Sequence, residues 1–156
     1  MNETILHFLQ QQSCASICCM DEDGTPYCFS CYYAFNADDG LLYFKSSVGA
    51  HHASLLQKYP NVAGTILPGQ LNKLITRGIQ FQGTILSPLD PLGVDAVNSY
   101  HKKYPIGLAM KGEVFTICLN DIKMTDSTLG FGKKITWKRN EPLMADTADK
   151  VRDGIY

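Results

Sequence analysis

The residues best suited to chemistry lie in one short stretch, where an apolar run ends in two hydroxyls and paired histidines follow. Ser46 and Ser47 end the run that begins at Leu41. His51 and His52 come after a turn that contains a glycine. Hydroxyls, free N–H groups at a helix start and a nearby cation are the groups that bind a phosphate. The spacing therefore predicts a phosphate site here. The alternative is a serine that caps the helix, with the histidines facing solvent.

Five of the six cysteines fall within residues 14–31, and this density raises the question of a metal or redox site. A zinc ribbon places its C-x2-C pair on a tight turn so that both thiolates converge on the ion. Cys28 and Cys31 instead lie in an aromatic run typical of a strand, in which residues three apart point to opposite faces. The pattern favours buried, reduced thiols that pack as small hydrophobic side chains. A zinc- or thiol-based redox module built on Cys14, Cys18, Cys19, Cys28 and Cys31 is the open alternative.

The usual sequence motifs of nucleophilic and metal-dependent hydrolysis are missing from the chain. It contains no G-x-S-x-G, no H-E-x-x-H and no paired-carboxylate motif. The adjacent side chains of His51 and His52 diverge on a helix, so we expect no shared metal ion. These features are typical of a protein whose reactive atoms belong to a bound cofactor.

Short strands and a few helices must position these residues. The hydrophobic periodicity predicts helices over Glu3–Gln11, about 49–59 and about 91–104, the last with Val94, Val97 and His101 on one stripe. It predicts strands over Cys14–Met20, 27–35, Leu41–Ser46, 62–67, 77–86, 113–119, 122–126 and 133–138. Strands and helices do not alternate regularly, which argues against a doubly wound parallel sheet. The sequence predicts a mainly β (α+β) domain of barrel type.

Composition and charge narrow the functional classes. The chain has 156 residues, of which 45% are hydrophobic, so it can bury a core and is not disordered. A net charge of -1 argues against a nucleic-acid or anionic-membrane binder. No apolar run approaches the roughly 20 residues of a membrane span, and the first residues do not resemble a secretory signal. We therefore expect a cytoplasmic protein, with a folded domain over 1–139 and a polar tail over 140–156.

The order of these motifs resembles the FMN-binding split barrels of the pyridoxamine-phosphate-oxidase-like superfamily. The resemblance covers residues 3–139. It depends on the strand 27–35, a five-residue turn, Leu42-Tyr-Phe-x-Ser46-Ser47, the histidine-bearing helix, Val62-Ala63 and Arg77-Gly78 with Gly83. The C-terminal runs 121–126 and 129–134 with Trp137 look more narrowly like a small group of uncharacterised bacterial split-barrel proteins. The resemblance implies a six-stranded split β-barrel with two or three peripheral helices that forms a homodimer, with FMN bound at the subunit interface.

By position, the resemblance also implies a set of flavin contacts. Ser46 and Ser47 would bind the phosphate, with His51 and His52 in the places of the family's Arg and Lys. A mostly neutral histidine would make phosphate affinity lower and dependent on pH. The remaining contacts would go to the isoalloxazine ring: Ser30 and Tyr32 on one strand, and Arg77, Gln80 and Gln82 beside another. A separate hypothesis is that Trp137 reaches across the dimer interface and covers the flavin. The alternatives are a solvated strand face for the glutamines and an ordinary edge strand for Trp137.

Three functions follow as hypotheses. The leading one is an FMN-dependent oxidoreductase that acts on a small, unidentified substrate. The second keeps the fold but makes the protein a non-catalytic flavin or deazaflavin carrier, or a sensor. The third is the cysteine-based zinc or redox module.

Overall fold

The computed structural model describes residues 1–47, 49–130 and 133–140. The predicted tail, apart from Asn140, and residues 131–132 of the C-terminal motif therefore lie outside the described residues. The described strands are β1 (Cys14–Met20), β2 (Pro26–Asn36), β3 (Leu41–Ser46), β4 (Asn61–Ile66), β5 (Arg77–Ile85), β6 (Glu113–Asp126) and β7 (Lys134–Lys138). The described α-helices are α1 (Glu3–Gln11), α2 (His51–Lys58) and α3 (Ala96–Lys103), with short 3₁₀ helices at Pro91–Gly93, Pro105–Ala109 and Ser127–Leu129.

The sheet closes into a barrel because β6 is long enough to pair with both β3 and β7 along one of its two edges. The strand order is β3-β2-β1-β4-β5-β6-β7, and β3 also pairs with β6. On β6, residues 113–118 pair with β3 and residues 121–125 pair with β7. The pairings are antiparallel. The described part of the chain thus forms a barrel of six strands with β7 added beside it, which confirms the predicted fold class.

The strand β6 differs from the prediction, which divided it into two. Opposite β5, Gln82 pairs with Asp121 but Gly83 pairs with Leu119, so Asn120 is an extra residue. A bulge of this kind lets a ladder continue past one unpaired residue. The polar Asn-Asp pair therefore marks an irregularity within one strand and not a turn between two.

Two apolar clusters hold the fold together. The larger one fills the barrel and includes the fully buried residues Ile17, Phe44, Ile117 and Ile122. Helix α1 adds its own buried apolar face to this cluster, and the side chain of Asn2 caps α1 as predicted. The smaller cluster lies between α3 and the sheet and contains Ala34, Leu41, Tyr43, Ala96 and Tyr100.

The region predicted as one helix over 91–104 is broken into a 3₁₀ helix and α3. Asp90 caps the first of these, as expected from the Asp-Pro pair. Gly93 weakens continuation of a helix at the break. The buried face of α3 carries Ala96 and Tyr100, whereas Val94 is 75% exposed and Val97 is 52% exposed. Of the predicted stripe, the two valines are therefore on the solvent side, whereas His101 is partly buried.

The cysteines also differ from the prediction of reduced, buried thiols. Cys18 and Cys28 lie directly opposite each other in the β1–β2 hairpin, with their Cα atoms 4.2 Å apart, and form a disulfide. Directly opposed residues without hydrogen bonds between them come close enough for such a bond. Cys14 is exposed, while Cys19 is buried as predicted. The strand register decides which cysteines pair, and the spacing alone does not reveal it.

Reduction of the disulfide is expected to destabilise the fold. The bond closes a loop with a sequence separation of 10. Loss of that cross-link lowers the free energy of unfolding by about 3 kcal/mol on the chain-entropy scale. Urea unfolding with and without a phosphine reductant measures the difference. The Cys18→Ser/Cys28→Ser variant should not respond to the reductant, and equal midpoints for the oxidised and reduced wild-type protein would contradict the assignment.

Candidate functional site

A cleft of about 470 Å³ opens between β2, the end of β3, the start of α2 and the segment that follows α3. Its size lies in the range of roughly 300–1,000 Å³ that is typical of small-molecule sites. Its polar and charged lining residues are Ser30, Lys45, Ser46, Ser47, His52 and Lys111. Its aromatic lining residues are Phe29, Tyr32, Tyr100 and Tyr104. The cleft therefore combines hydrogen-bond donors and cations with flat apolar surfaces.

Ser46 and His52 form the best-defined contact in the cleft. Ser46 Oγ lies 2.6 Å from His52 Nε2, and the Ser46 side chain is buried. The ring of His52 stacks on Phe29 with 3.8 Å between ring centroids. Residue Ala50 is the N-cap of α2, and no side chain among the described residues caps this helix. The serine-cap alternative is therefore wrong for the described residues, and the N–H groups at the helix start receive no side-chain acceptor from them.

The pKa of His52 is lowered, chiefly by burial and also by the charge of the neighbouring His51. The fold thus favours the neutral imidazole. A folded-state pKa below the unfolded one stabilises the protein above the unfolded pKa, at about 6.5. This contribution decreases as the pH falls below that value, because the unfolded state then binds the proton more readily.

His51 points away from the cleft, as expected for adjacent residues on a helix. Its Nε2 atom lies 2.8 Å from Asp21 Oδ2, and its ring packs edge-on against Tyr27. The pKa of Asp21 is lowered, mainly by the hydrogen bond from His51. Only His52 of the predicted pair lines the cleft.

Lys45 and Lys111 line the cleft and were not predicted as site residues. The Lys45 ammonium donates to the carbonyl oxygen of Gly107 at 2.7 Å, while Lys111 is exposed. The sequence signal that could have identified Lys45 is its position as the one charged residue in the apolar run of β3. The segment that carries Gly107 and Lys111 is distant in sequence from β3, so only the tertiary structure brings these groups together.

The remaining predicted site residues lie elsewhere on the barrel. Arg77 forms an ion pair with Asp126, with 2.8 Å between Nε and Oδ2. Gln80 and Gln82 are exposed on β5, and Trp137 is on β7 with the Arg139 guanidinium 5.6 Å from its ring. Within one chain, the structure brings together Ser30, Tyr32, Ser46, Ser47 and His52, and it leaves His51, Arg77, Gln80, Gln82 and Trp137 outside the cleft.

The groups present fit a flavin mononucleotide. Its phosphate needs hydroxyl or N–H donors and positive charge, which Ser46, Ser47, Lys45 and the α2 start provide. Its flat ring needs apolar and aromatic walls, and Tyr32 and Tyr104 are available for this purpose. A cluster of three or more His, Cys, Asp or Glu side chains able to hold a metal ion does not occur among the described residues. In the same part of the chain, no helix has the length and apolar character needed to cross a membrane.

Gly112 keeps the end of β3 in place at the cleft. Its φ of +156° disfavours other residues. A Cβ atom there would clash with the carbonyl oxygen of Ser46 and lie 3.3 Å from Cε of Lys45. Gly112→Ala is expected to lower the free energy of unfolding by about 1–3 kcal/mol, as measured by urea unfolding.

Gly24→Ala provides the matched control for this prediction. Gly24 also has a positive φ, of +82°, but a Cβ atom there would have nothing within 4 Å. It therefore reports backbone strain without a clash, and we expect a loss of about 1 kcal/mol. If Gly112→Ala costs no more than Gly24→Ala, the close approach at Ser46 does not matter for stability.

Solved structures with the same fold support the barrel assignment. No protein-family model matches the chain. The heme binding protein of Mycobacterium smegmatis superposes with a TM-score of 0.71 at 12% identity, over 88% of this chain and 59% of that one. A fad-binding protein of Mesorhizobium loti has a TM-score of 0.63 at 15% identity, over 81% and 95%. A protein related to general stress protein 26, of the pyridoxinephosphate oxidase family, from Clostridium acetobutylicum has a TM-score of 0.60 at 14% identity, over 88% and 96%. The fold is therefore the split barrel of the pyridoxamine-phosphate-oxidase-like type, as the sequence resemblance implied.

Relatives at higher identity identify the family. A UPF0306 protein of Photorhabdus laumondii is 37% identical over 140 residues, which is 88% of this chain and 96% of the relative. A UPF0306 protein of Yersinia pestis is 32% identical over 142 residues, which is 89% of this chain and 94% of the relative. The similarity extends over nearly the whole of both proteins, and the chain therefore belongs to the UPF0306 protein family.

Proposed function

We propose that this protein binds FMN in the cleft and acts as an oxidoreductase on a small substrate. The observation that supports this most strongly is the convergence of Ser46, Ser47 and His52, beside aromatic side chains, at the start of α2, which no described side chain caps. Phosphate binding at such a place follows from the hydroxyl donors and the free N–H groups. A split-barrel neighbour whose name describes it as fad-binding is consistent with a flavin.

The chain's own residues bind, orient and shield the cofactor. Ser46, Ser47 and the α2 start would hold the phosphate, and the stacking of His52 on Phe29 keeps that imidazole in place. Tyr32 and Tyr104 offer surfaces for the ring. The bound flavin supplies hydride or electron transfer.

A homodimer with the cleft at its interface is part of this proposal. Ile106 and Met110 line the cleft and are 78% and 63% exposed, and Leu108, between them in the sequence, is 71% exposed. A row of exposed apolar side chains of this kind is typical of an interaction surface. A second copy would cover them, and it would offer a route by which Gln80, Gln82 or Trp137 reaches the ligand. Light scattering of the purified protein tests the oligomeric state.

Haem is the second candidate ligand, because the cleft contains a histidine and the Mycobacterium smegmatis neighbour is named as heme binding. An axial ligand needs a free ring nitrogen. Nε2 of His52 is already 2.6 Å from Ser46 Oγ. Coordination of the haem iron by Nε2 would therefore break this contact.

The visible spectrum of freshly purified protein, followed by titration with FMN, tests the proposal. We expect a yellow protein, or saturable binding at about one flavin per chain. A parallel titration with hemin tests haem through its Soret band. Steady-state assays with NADH or NADPH and oxygen then separate an oxidoreductase from a carrier or sensor, which would bind flavin without turnover. A protein that ignores FMN at micromolar concentration contradicts the proposal.

A further inference from the structure

Lys45 is an ammonium group that the protein holds in place at the cleft without a neutralising partner. Its Nζ atom lies 2.7 Å from the carbonyl oxygen of Gly107 and 3.2 Å from Nε2 of His101. An ammonium only donates, so the carbonyl oxygen of Gly107 and Nε2 of His101 are both acceptors of the Lys45 ammonium. Neither partner carries a negative charge.

The charge of Lys45 is not compensated by the described part of the protein. No carboxylate of the described residues lies within 4.0 Å of its Nζ atom. Two of its three N–H donors have acceptors, and the third has none among those residues. Half-buried charges are usually paired, because desolvation without a partner is unfavourable. An ammonium that lines a cleft without a carboxylate partner, and with one donor unused, can bind an anion there.

Lys45 approaches the cleft from a different side of β3 than the Ser46–His52 contact. Successive residues of a strand point to opposite faces, so Lys45 lies on the α3 side of β3 while Ser46 contacts His52. Both residues line the same cleft. The cleft therefore offers two places for negative charge, on either side of the end of β3.

We propose that Lys45, positioned by Gly107 and His101, binds an anionic group of the ligand in this cleft. That anion is either the phosphate of the cofactor or a carboxylate or phosphate of the substrate. The identity of the ligand rests on the proposed function, whereas the need for an anion rests on Lys45 alone.

Substitution of Lys45 by methionine removes the charge and retains most of the side-chain length. Flavin fluorescence measures the affinity of each variant for FMN and for riboflavin, which lacks the phosphate. Lys102→Met is the matched control, because Lys102 is an exposed lysine on α3, next to His101. In a second arm, the FMN-loaded protein is titrated with inorganic phosphate and with benzoate, and the flavin absorbance reports binding. If Lys45→Met does not fold, Lys45→Gln replaces it, since an amide still donates to Gly107.

If the cofactor phosphate is the anion, Lys45→Met binds FMN at least about 10-fold more weakly and riboflavin unchanged. If a substrate anion is bound, the affinity for FMN is unchanged and binding of phosphate or benzoate to the loaded protein falls by a similar factor. If the variant behaves like Lys102→Met in both arms, the proposal is overturned. Should the wild type bind no flavin, the proposed function fails, and calorimetric titration of the unloaded wild type and Lys45→Met with inorganic phosphate still decides the role of Lys45.

Discussion

Arg77→Met is expected to lower the free energy of unfolding by about 3–5 kcal/mol. Arg77 is one of the residues that the sequence resemblance assigned to the flavin. The structure instead places its guanidinium 2.8 Å from the carboxylate of Asp126, which is only 2% exposed. Removal of the arginine leaves this carboxylate buried without its counter-ion.

The environment of Asp126 explains both the size of this effect and its dependence on pH. Burial raises the pKa of Asp126, but hydrogen bonds from Thr128 and the charge of Arg77 lower it by more, so that the pKa is lowered overall. The carboxylate is therefore stabilising above its unfolded pKa of about 3.9, and this contribution is lost as the pH falls through the lower folded pKa. We expect the stability difference between Arg77→Met and the wild type to be full at pH 7 and to decrease in acid.

Urea unfolding at pH 7 and in acid measures the effect of Arg77→Met. The Arg77→Met/Asp126→Asn double variant is expected to recover part of the loss, because no charge is then buried. Lys123→Met, which removes a charge from β6 without breaking a described ion pair, is the control. A variant with normal stability and weakened flavin binding would instead support Arg77 as a cofactor residue.

The Ser46→Ala/His52→Ala variant is expected to bind FMN about 100-fold more weakly, since two donors to a charged phosphate are lost. Affinity for riboflavin should change much less. Fluorescence titration of both flavins measures the effect. Because the Ser46–His52 contact at 2.6 Å is mutual, the single variants should together lose more than the double variant does.

The matched control for this experiment uses a serine and a histidine of α2 that lie outside the cleft. His51 bonds to Asp21, and Ser54 donates to the backbone oxygen of His51. Neither lines the cleft. Ser54→Ala/His51→Ala should therefore leave the affinity for FMN unchanged. Equal losses in the two double variants, or none in either, would contradict the phosphate assignment.

The affinity of the wild type for FMN should also depend on pH through His52. Its lowered pKa makes the free protein neutral at this position at pH 7. A bound phosphate dianion favours the imidazolium, so binding takes up a proton and becomes tighter as the pH falls from 8 to about 6.5. This trend should be absent in His52→Ala and should persist in His51→Ala.

Most of the fold was predictable from interactions between residues close in sequence. The alternation of β5 gave its buried and exposed faces correctly, with Ile79 and Phe81 inside and Gln80 outside. Asn2 and Asp90 act as helix caps, and Pro60 follows the end of α2. These features depend on residues a few positions apart, so their backbone geometry follows from side-chain type and spacing. The order of such elements was enough to indicate a split barrel.

The tertiary structure decided the contacts between residues that are distant in sequence. Strand register made Cys18 and Cys28 a disulfide, and a bulge at Asn120 kept β6 continuous. Arg77, at the start of β5, forms an ion pair with Asp126 on the neighbouring strand β6. The approach of the segment after α3 brings Gly107 to Lys45 across 62 positions. The sequence by itself determined most of the elements and placed Ser46 and His52 at one junction, because these features are local. The segment after α3 completes the cleft. Its position depends on how the barrel closes and where α3 packs, and no local sequence pattern encodes these two features.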